Sequence, residues 1–320
     1  MPRRRRGRDL DAILLLDKPL GMSSNRALQR AKALFGAAKA GHTGSLDPLA
    51  TGMLPVCFGQ ATKLCGLLLE ASKAYSFEAQ LGVATETGDA EGPVIGEAPV
   101  PEITSARLAE VLVAFRGQIR QVPPMYSALK HQGRRLYALA RAGEQVERAP
   151  REVTIHTLEA ISPPDSAGRL RLFVRCSKGT YVRTLAEDIA RALGTLAHLT
   201  TLRRDWVEPF GGLPMLPLDR LESMDAGARE ACLLPLARGL RHLPAVTVDD
   251  GAAAHLLHGR QVVDPRPVAA REVPGRLCAY GPREVLLGLV EPTGDGRLVP
   301  RRMFPGAGQG VGVTDEPERA

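Results

Sequence analysis

One carboxylate stands apart from the other acidic side chains of this 320-residue sequence. Asp47 lies in the run GHTGSLDPLATGMLP, flanked by three glycines and followed at once by Pro48. An Asp in such a setting ordinarily serves as a turn or capping residue, because its short side chain hydrogen-bonds nearby backbone. A carboxylate fixed in a loop can also act as a nucleophile, or stabilise a sugar carbon that gains positive character, as in glycoside hydrolysis. A second run bears on the choice. CSKGTYVRTLAEDIA sets Gly179, Tyr181 and Arg183 at a strand-to-helix junction, and an arginine there can pair with a carboxylate and hold it ionised and oriented. Chance pairing on a surface is the competing reading.

Other chemistries lack their residues. No GxGxxG and no GxxxxGK[ST] occurs, so neither dinucleotide nor nucleoside triphosphate binding has a motif behind it. The seven histidines (42, 131, 156, 198, 242, 255 and 258) form no HExxH, and His255 with His258 has no acidic or cysteine ligand close in sequence. Cys57, Cys65, Cys176, Cys232 and Cys278 make no CxxC pair and are read as buried reduced thiols. No metal and no cofactor is expected.

The charge balance points to an anionic partner. Net charge is +7 and the pI is about 9.4, and cations that neutralise phosphates release condensed counterions on binding. The excess is clustered at Arg3–Arg6, between Lys130 and Arg151, at Arg203 and Arg204, and at Arg301 and Arg302. One tryptophan and 4% aromatics argue against a base-stacking platform for single strands. Structured RNA with a few splayed bases fits better.

The elements that must position these residues follow from pattern. Residues 1–9 read as a disordered basic arm. AILLLDKP is a short buried strand stopped by Pro19, and SSNRALQRAKALFG a helix with Ser/Asn start signals and Gly36 at its end. Gly41 to Lys63, rich in Gly, Pro and Thr, reads as an ordered loop. ATKLCGLLLEASK then gives a short helix before the strand AYSFEAQLG. The basic stretch from 122 to 151 is either a mobile RNA-gripping insertion or a solvated helix face. VTIHTLEAI and RLRLFVRCS alternate as strands of one sheet, and TYVRTLAEDIARALGT is an amphipathic helix ending at Gly194. From Pro244 short strands between Gly, Pro and Asp turns suggest a small β-rich domain, and the tail at 306–320 reads as disordered. No stretch approaches the roughly 18 apolar residues of a membrane span, and the start carries no cleavage pattern, so a cytoplasmic monomer is expected.

Taken together, DKPLGMSSN, GHTGSLDPLATGMLPVCFGQATK, VPPMYSALKHQGRRLYALAR, CSKGTYVRTL and HLTTLRR closely resemble the bacterial TruB family of tRNA pseudouridine-55 synthases, in the same order over residues of about 10 to 305. The resemblance implies an α+β fold on a mixed, largely antiparallel sheet, with a catalytic domain at 10–243, a thumb insertion at about 122–151, and a small PUA-like RNA-binding domain at 244–305. It makes Asp47 the catalytic carboxylate, Arg183 its partner, and Tyr75 a catalytic tyrosine that stacks on the target base and helps to move the C5 proton. His42 fills the space that the flipped base leaves, and Tyr181 and Leu202 line the uridine pocket. Lys130, Arg134, Arg135, Arg203 and Arg204 are expected on the RNA backbone. The implied partner is the T-stem-loop of tRNA, with no obligate protein partner. Two rival readings stay open: a tRNA-binding folding chaperone with catalysis secondary, and a synthase dependent on a partner or guide RNA.

Overall fold

The computed structural model describes residues 7–267 and 275–306. Its first strand, β1 (Ile13–Lys18), is apolar through Leu16 and is ended by Pro19, which fixes φ and lacks an N–H donor. Helix α1 (Ser24–Leu34) follows. Ser23 caps it by accepting from the Arg26 N–H, and Ala27, Leu28 and Ala31 form its buried stripe. Next come β2 (Ala40–His42), β3 (Ala50–Phe58), a 3-10 turn at Gly59–Leu64 running into α2 (Cys65–Glu70), and β4 (Lys73–Leu81). A hairpin of β5 (Val83–Thr85) and β6 (Val94–Glu97) precedes α3 (Ser105–Ala114) and β7 (Gly117–Gln121).

The insertion after β7 holds a two-residue hairpin, β8 (Lys130–His131) and β9 (Arg134–Arg135), and then α4 (Leu136–Arg141), whose Leu136 and Leu139 are buried. The chain returns in β10 (Arg151–Ser162), with Arg151 opposite Gln121. It continues through β11 (Arg169–Cys176), α5 (Val182–Leu193), β12 (Ala197–Val207), β13 (Leu216–Pro217), α6 (Leu218–Ser223) and α7 (Ala226–Ala231). Gly194 closes α5 in the left-handed conformation at φ 88°.

The large sheet runs β13-β1-β3-β12-β4-β11-β10-β7, with β2 added to β3. Only β1·β13 and β3·β12 pair in parallel, so the sheet is mixed and largely antiparallel and the architecture is the expected α+β. Helices α3 and α5 cover one stretch of it, packing Leu108, Leu112, Leu185 and Ile189 on Phe77, Leu172 and Val174. Helices α1 and α6 cover the β1–β3 end.

The C-terminal segment is a second, five-stranded sheet: β14 (Ala245–Thr247), β15 (Val262–Val263), β16 (Leu277–Tyr280), β17 (Leu286–Pro292) and β18 (Arg297–Met303), in the order β14-β16-β17-β18-β15. It is seated on the first sheet through one shared apolar cluster, in which Cys278, Leu286, Leu289 and Phe304 meet Ile13, Leu64, Phe210 and Leu240.

Three expectations are corrected. The segment read as a loop from Gly41 to Lys63 contains β2 and the nine-residue β3, of which all but Thr51 is buried. A strand covered on both faces shows no polar alternation, and Pro55 argues against a central strand. The proline is tolerated because β3 changes neighbour there: β12 pairs with residues 50–52 and β2 with residues 56–58. Within the C-terminal segment, AAAHLL is helical, in α8 (Asp250–Leu257), capped by the side chain of Asp249. Residues 7–9 are not part of an arm. Arg8 exchanges backbone hydrogen bonds with Gly36 and Ala38, and its guanidinium pairs with Glu230. The expected arm at 1–6 and tail at 307–320 lie outside the described residues.

Phe304 is 1% exposed inside the shared cluster. Phe304→Ala is expected to lower unfolding stability by about 3–5 kcal/mol, the usual range for emptying a buried aromatic site. Urea denaturation checks this, and a loss below about 1 kcal/mol would mean that the C-terminal sheet is only loosely seated.

Candidate active site

The Asp47 loop, residues 43–49, crosses from β2 to β3 and is gripped by buried polar side chains. Lys18, at the end of β1, has no exposed surface. Its ammonium donates to the carbonyls of Pro19 (2.9 Å), Met22 (2.6 Å) and Pro48 (3.4 Å). From the first turn of α1, the Ser24 hydroxyl donates to the Leu46 carbonyl at 3.0 Å and accepts the Leu46 N–H at 2.7 Å. Arg204 on β12, 1% exposed, donates from Nε to the Met53 carbonyl (2.7 Å) and from Nη2 to the Gly44 carbonyl (3.1 Å), and the Tyr75 phenol lies beside it. Gly44 sits at φ 120°, a conformation few side chains adopt. The loop is thus a fixed platform, because every one of these buried donors would be costly to leave unpaired.

Arg183, in the first turn of α5, projects against this platform. Its Nη2 lies 2.8 Å from Asp47 Oδ2 and its Nη1 3.6 Å from Asp89 Oδ2. It donates besides to the carbonyls of Thr87 (2.7 Å) and Tyr126 (2.8 Å). The guanidinium side chain is 7% exposed and Asp89 4%, whereas Asp47 is 45% exposed. A buried cation therefore has one buried counter-charge and one that faces solvent. Asp89 is itself held, accepting from the Thr87 hydroxyl (2.6 Å) and the Glu91 N–H (3.1 Å).

Asp47 opens into a cleft of about 940 Å³ that His42, Asp89, Tyr126, Arg135 and Arg183 also line. Of the residues expected at the site, the structure brings Asp47, Arg183 and His42 together here. Burial, with the nearby Arg204 charge second, lowers the His42 pKa, so its imidazole is neutral at pH 7, and its buried Nδ1 has no partner among the described residues. Tyr75 and Leu202 lie in the core with Leu46 and Ala50, each 9% exposed, and do not line the open cleft. Burial raises the Tyr75 phenol, keeping it protonated near neutral pH. Tyr181, half-buried at the head of α5, also lies off the open cleft.

The cations expected on RNA separate. Arg204 is corrected: fully enclosed and spent on the carbonyls of Gly44 in the loop and Met53 in β3, it cannot reach a phosphate. Arg203 forms a two-point pair with Asp17 at 3.1 and 2.8 Å. Arg134 is exposed and paired with Glu144, Lys130 is exposed, and Arg135 stands on the cleft rim, donating to the Ala128 carbonyl. Sequence reasoning missed Lys18, Ser24 and Asp89. Lys18 carried a faint signal, as a lysine closing an apolar strand, whereas nothing marked Asp89 in the turn TGDAEG as the second partner of Arg183. Among the described residues no group of three or more His, Cys, Asp or Glu is arranged to hold a metal ion, and no helix is long and apolar enough to cross a membrane.

The fold has known counterparts. It superposes on chains from the crystal structure of a Cbf5-Nop10-Gar1 complex (TM-score 0.67, 24% identity, 88% of this chain and 78% of that one) and of the archaeal box H/ACA sRNP Nop10-Cbf5 complex (TM-score 0.68, 20% identity, 92% and 86%). At these identities the likeness is one of fold, and the class is the pseudouridine synthase fold. Sequence relatives are closer. The family model "TruB family pseudouridylate synthase (N terminal domain)" matches residues 32–182, that of the tRNA pseudouridylate synthase B C-terminal domain 183–241, and that of "Pseudouridine synthase II TruB, C-terminal" 244–304. The tRNA pseudouridine synthase B of Chromohalobacter salexigens is 51% identical over 95% of this chain and 97% of its own length, and that of Nitrosococcus oceani 49% over 94% and 97%. The chain belongs to the TruB family of pseudouridylate synthases.

Burial pulls the Lys18 pKa from 10.5 down to about 8, against the opposing pull of Asp47 and Glu91. Between those values the unfolded chain binds a proton that the folded chain has shed, so stability from this group rises with pH there and is lost as pH falls through about 8. The stability of the wild type relative to Lys18→Met should therefore improve by roughly 2 kcal/mol between about pH 7 and pH 10. Denaturant titrations at a series of pH values check it; a difference that stays flat with pH would contradict the depressed pKa.

Proposed function

We propose that this chain isomerises uridine to pseudouridine in tRNA, that its target is uridine 55 of the T-loop, and that Asp47 is the catalytic carboxylate. The observation that carries the reading is the pair of Asp47 and Arg183: a half-exposed carboxylate, aimed into a cleft, held at 2.8 Å by a guanidinium that is itself buried. Family membership and relatives named tRNA pseudouridine synthase B support the reaction class.

The isomerisation breaks the bond between C1′ and N1, turns the uracil, and rejoins it through C5, which gives up its proton while the freed N1 takes one from solvent. Atoms and oxidation state are conserved, so the chemistry calls for no redox group. Asp47 attacks C1′, or removes the C2′ proton to give a glycal; in either role the Arg183 guanidinium, at hydrogen-bond distance, orients the carboxylate. The detached base has to be kept from solvent, and Tyr75 and Leu202 share a buried apolar cluster with Leu46 of the carboxylate loop. Tyr181 stands at the head of α5, two residues before Arg183. Extrusion of a stacked uridine costs a few kcal/mol, and His42, neutral and on the cleft wall, is suited to occupy the space left behind. Lys130, Arg134 and Arg135 on the insertion are the exposed cations placed to meet phosphate, with Arg203 more weakly placed because Asp17 already engages it.

The test is tritium release from a tRNA transcript labelled at uridine C5, with no partner protein or guide RNA. Release from position 55 alone is expected, and Asp47→Asn should abolish it. Tight binding without release would favour the chaperone or partner-dependent readings. Arg183→Ala is expected to lower the single-turnover rate by about 100-fold or more, the usual cost of losing a preorganised charge partner, with tRNA affinity little changed. A wild-type rate in that variant would remove the pair from the mechanism. Affinity should also fall steeply from about 50 to 200 mM salt if the insertion neutralises phosphates; filter binding across that range checks it, and a flat curve would contradict the electrostatic contribution.

A further inference from the structure

We infer that Gln121 is a positioning residue that ties the base of the thumb insertion to the start of α5, and so sets the placement of Arg183. The inference rests on the reading of Asp47 and Arg183 as the catalytic pair. Gln121 is the last residue of β7 and is 2% exposed. A primary amide so deeply buried must satisfy both its ends, and it does so on a single residue 60 positions away. Its Oε1 accepts the Tyr181 N–H at 3.0 Å and its Nε2 donates to the Tyr181 carbonyl at 3.2 Å.

Tyr181 occupies the N-cap position of α5, and its side chain makes no capping bond. Helices α1, α3, α7 and α8 are capped locally by Ser23, Thr104, Asp225 and Asp249. The helix that carries Arg183 has instead its N-cap residue clamped from another element. Arg183 lies two residues beyond the clamp.

The same point is the root of the insertion. Gln121 pairs with Arg151 across β7 and β10, so residues 122–150 leave and return through it. Five residues into the insertion, the Tyr126 carbonyl accepts from Arg183 Nη2 at 2.8 Å, the same nitrogen that meets Asp47 at 2.8 Å. One contact fixes the backbone under Arg183 and the other its guanidinium, and both come from the root of a segment rich in exposed cations. When RNA is gripped by the insertion, the position of its root is therefore transmitted to the carboxylate–guanidinium pair: Gln121 acts on rate rather than on affinity.

Gln121→Glu tests this. A protonated Glu can accept from the Tyr181 N–H and donate to its carbonyl as Gln does, whereas the ionised form repels that carbonyl. Arg151 of β10 stands opposite Gln121 in the sheet, and the phenol of Tyr181, whose backbone Gln121 holds, feels the charges of Arg151, of Arg183 on α5 and of Asp47. The single-turnover rate of Gln121→Glu relative to the wild type is expected to be down about tenfold at about pH 8.5 and to recover as pH is lowered toward about 5.5, with tRNA Kd within threefold throughout. Gln121→Leu, which makes neither bond, should be slow at every pH; if it fails to fold, the Glu variant carries the test alone. A wild-type rate for Gln121→Glu at high pH, a loss that does not vary with pH, or a loss of affinity in place of rate would each overturn the inference. An active wild type with an unaffected Gln121→Glu sinks this inference alone, whereas an inactive wild type sinks the catalytic reading with it.

Discussion

A guanidinium removed from water needs its counter-charges inside the protein, since an unpaired buried cation costs several kcal/mol. Arg183 meets that requirement with two carboxylates of unlike environment, Asp89 in the interior and Asp47 at the cleft. Asp89 alone balances the charge of the arginine, which leaves Asp47 oriented by Arg183 yet nearly half exposed in the cleft. Much of the surrounding structure can be understood as holding these three side chains in line. The two carbonyls of Thr87 and Tyr126 fix the plane of the guanidinium, so that its fork does not swing with Asp47.

The platform under Asp47 follows a related rule. Lys18, Ser24 and Arg204 come from β1, α1 and β12, three elements distant in sequence, and each spends its polar atoms on the backbone of one short loop or of the strand ends beside it. A loop so clamped holds its carboxylate without drawing on Asp47 itself. The C-terminal sheet continues this economy of rigid parts: its cluster around Phe304 joins the core beneath β1 and the 3-10 turn, and Lys63 donates across the junction to the Met303 carbonyl.

The sequence disclosed the elements whose pattern is local. β1, α1, α5, β10 and β11 carry apolar periodicity and caps that can be read a few residues at a time, and Asp47 and Arg183 stand in runs distinctive enough to mark the family and to nominate a candidate site. What it hid was set by long-range packing. β3 reads as a loop because burial on both faces removes alternation and Pro55 breaks the strand pattern, and only the switch of neighbours from β12 to β2 makes that proline acceptable. Arg204 reads as an RNA ligand because adjacent arginines in a basic protein invite it, but residues that alternate along β12 face opposite ways, and one of the two points inward. Asp89 was invisible for a simpler reason: its meaning lies wholly in a residue 94 positions later.

The central claim is that Asp89, Arg183 and Asp47 work as one unit. It is tested most directly by a double-mutant cycle on the single-turnover rate of pseudouridine formation, comparing wild type, Asp89→Asn, Arg183→Lys and the double variant. Groups that act through one another lose their function once. The account predicts that the double variant is no slower than the slower of the two single variants, within about threefold; losses that multiply would show that Asp89 and Arg183 contribute independently and would contradict it.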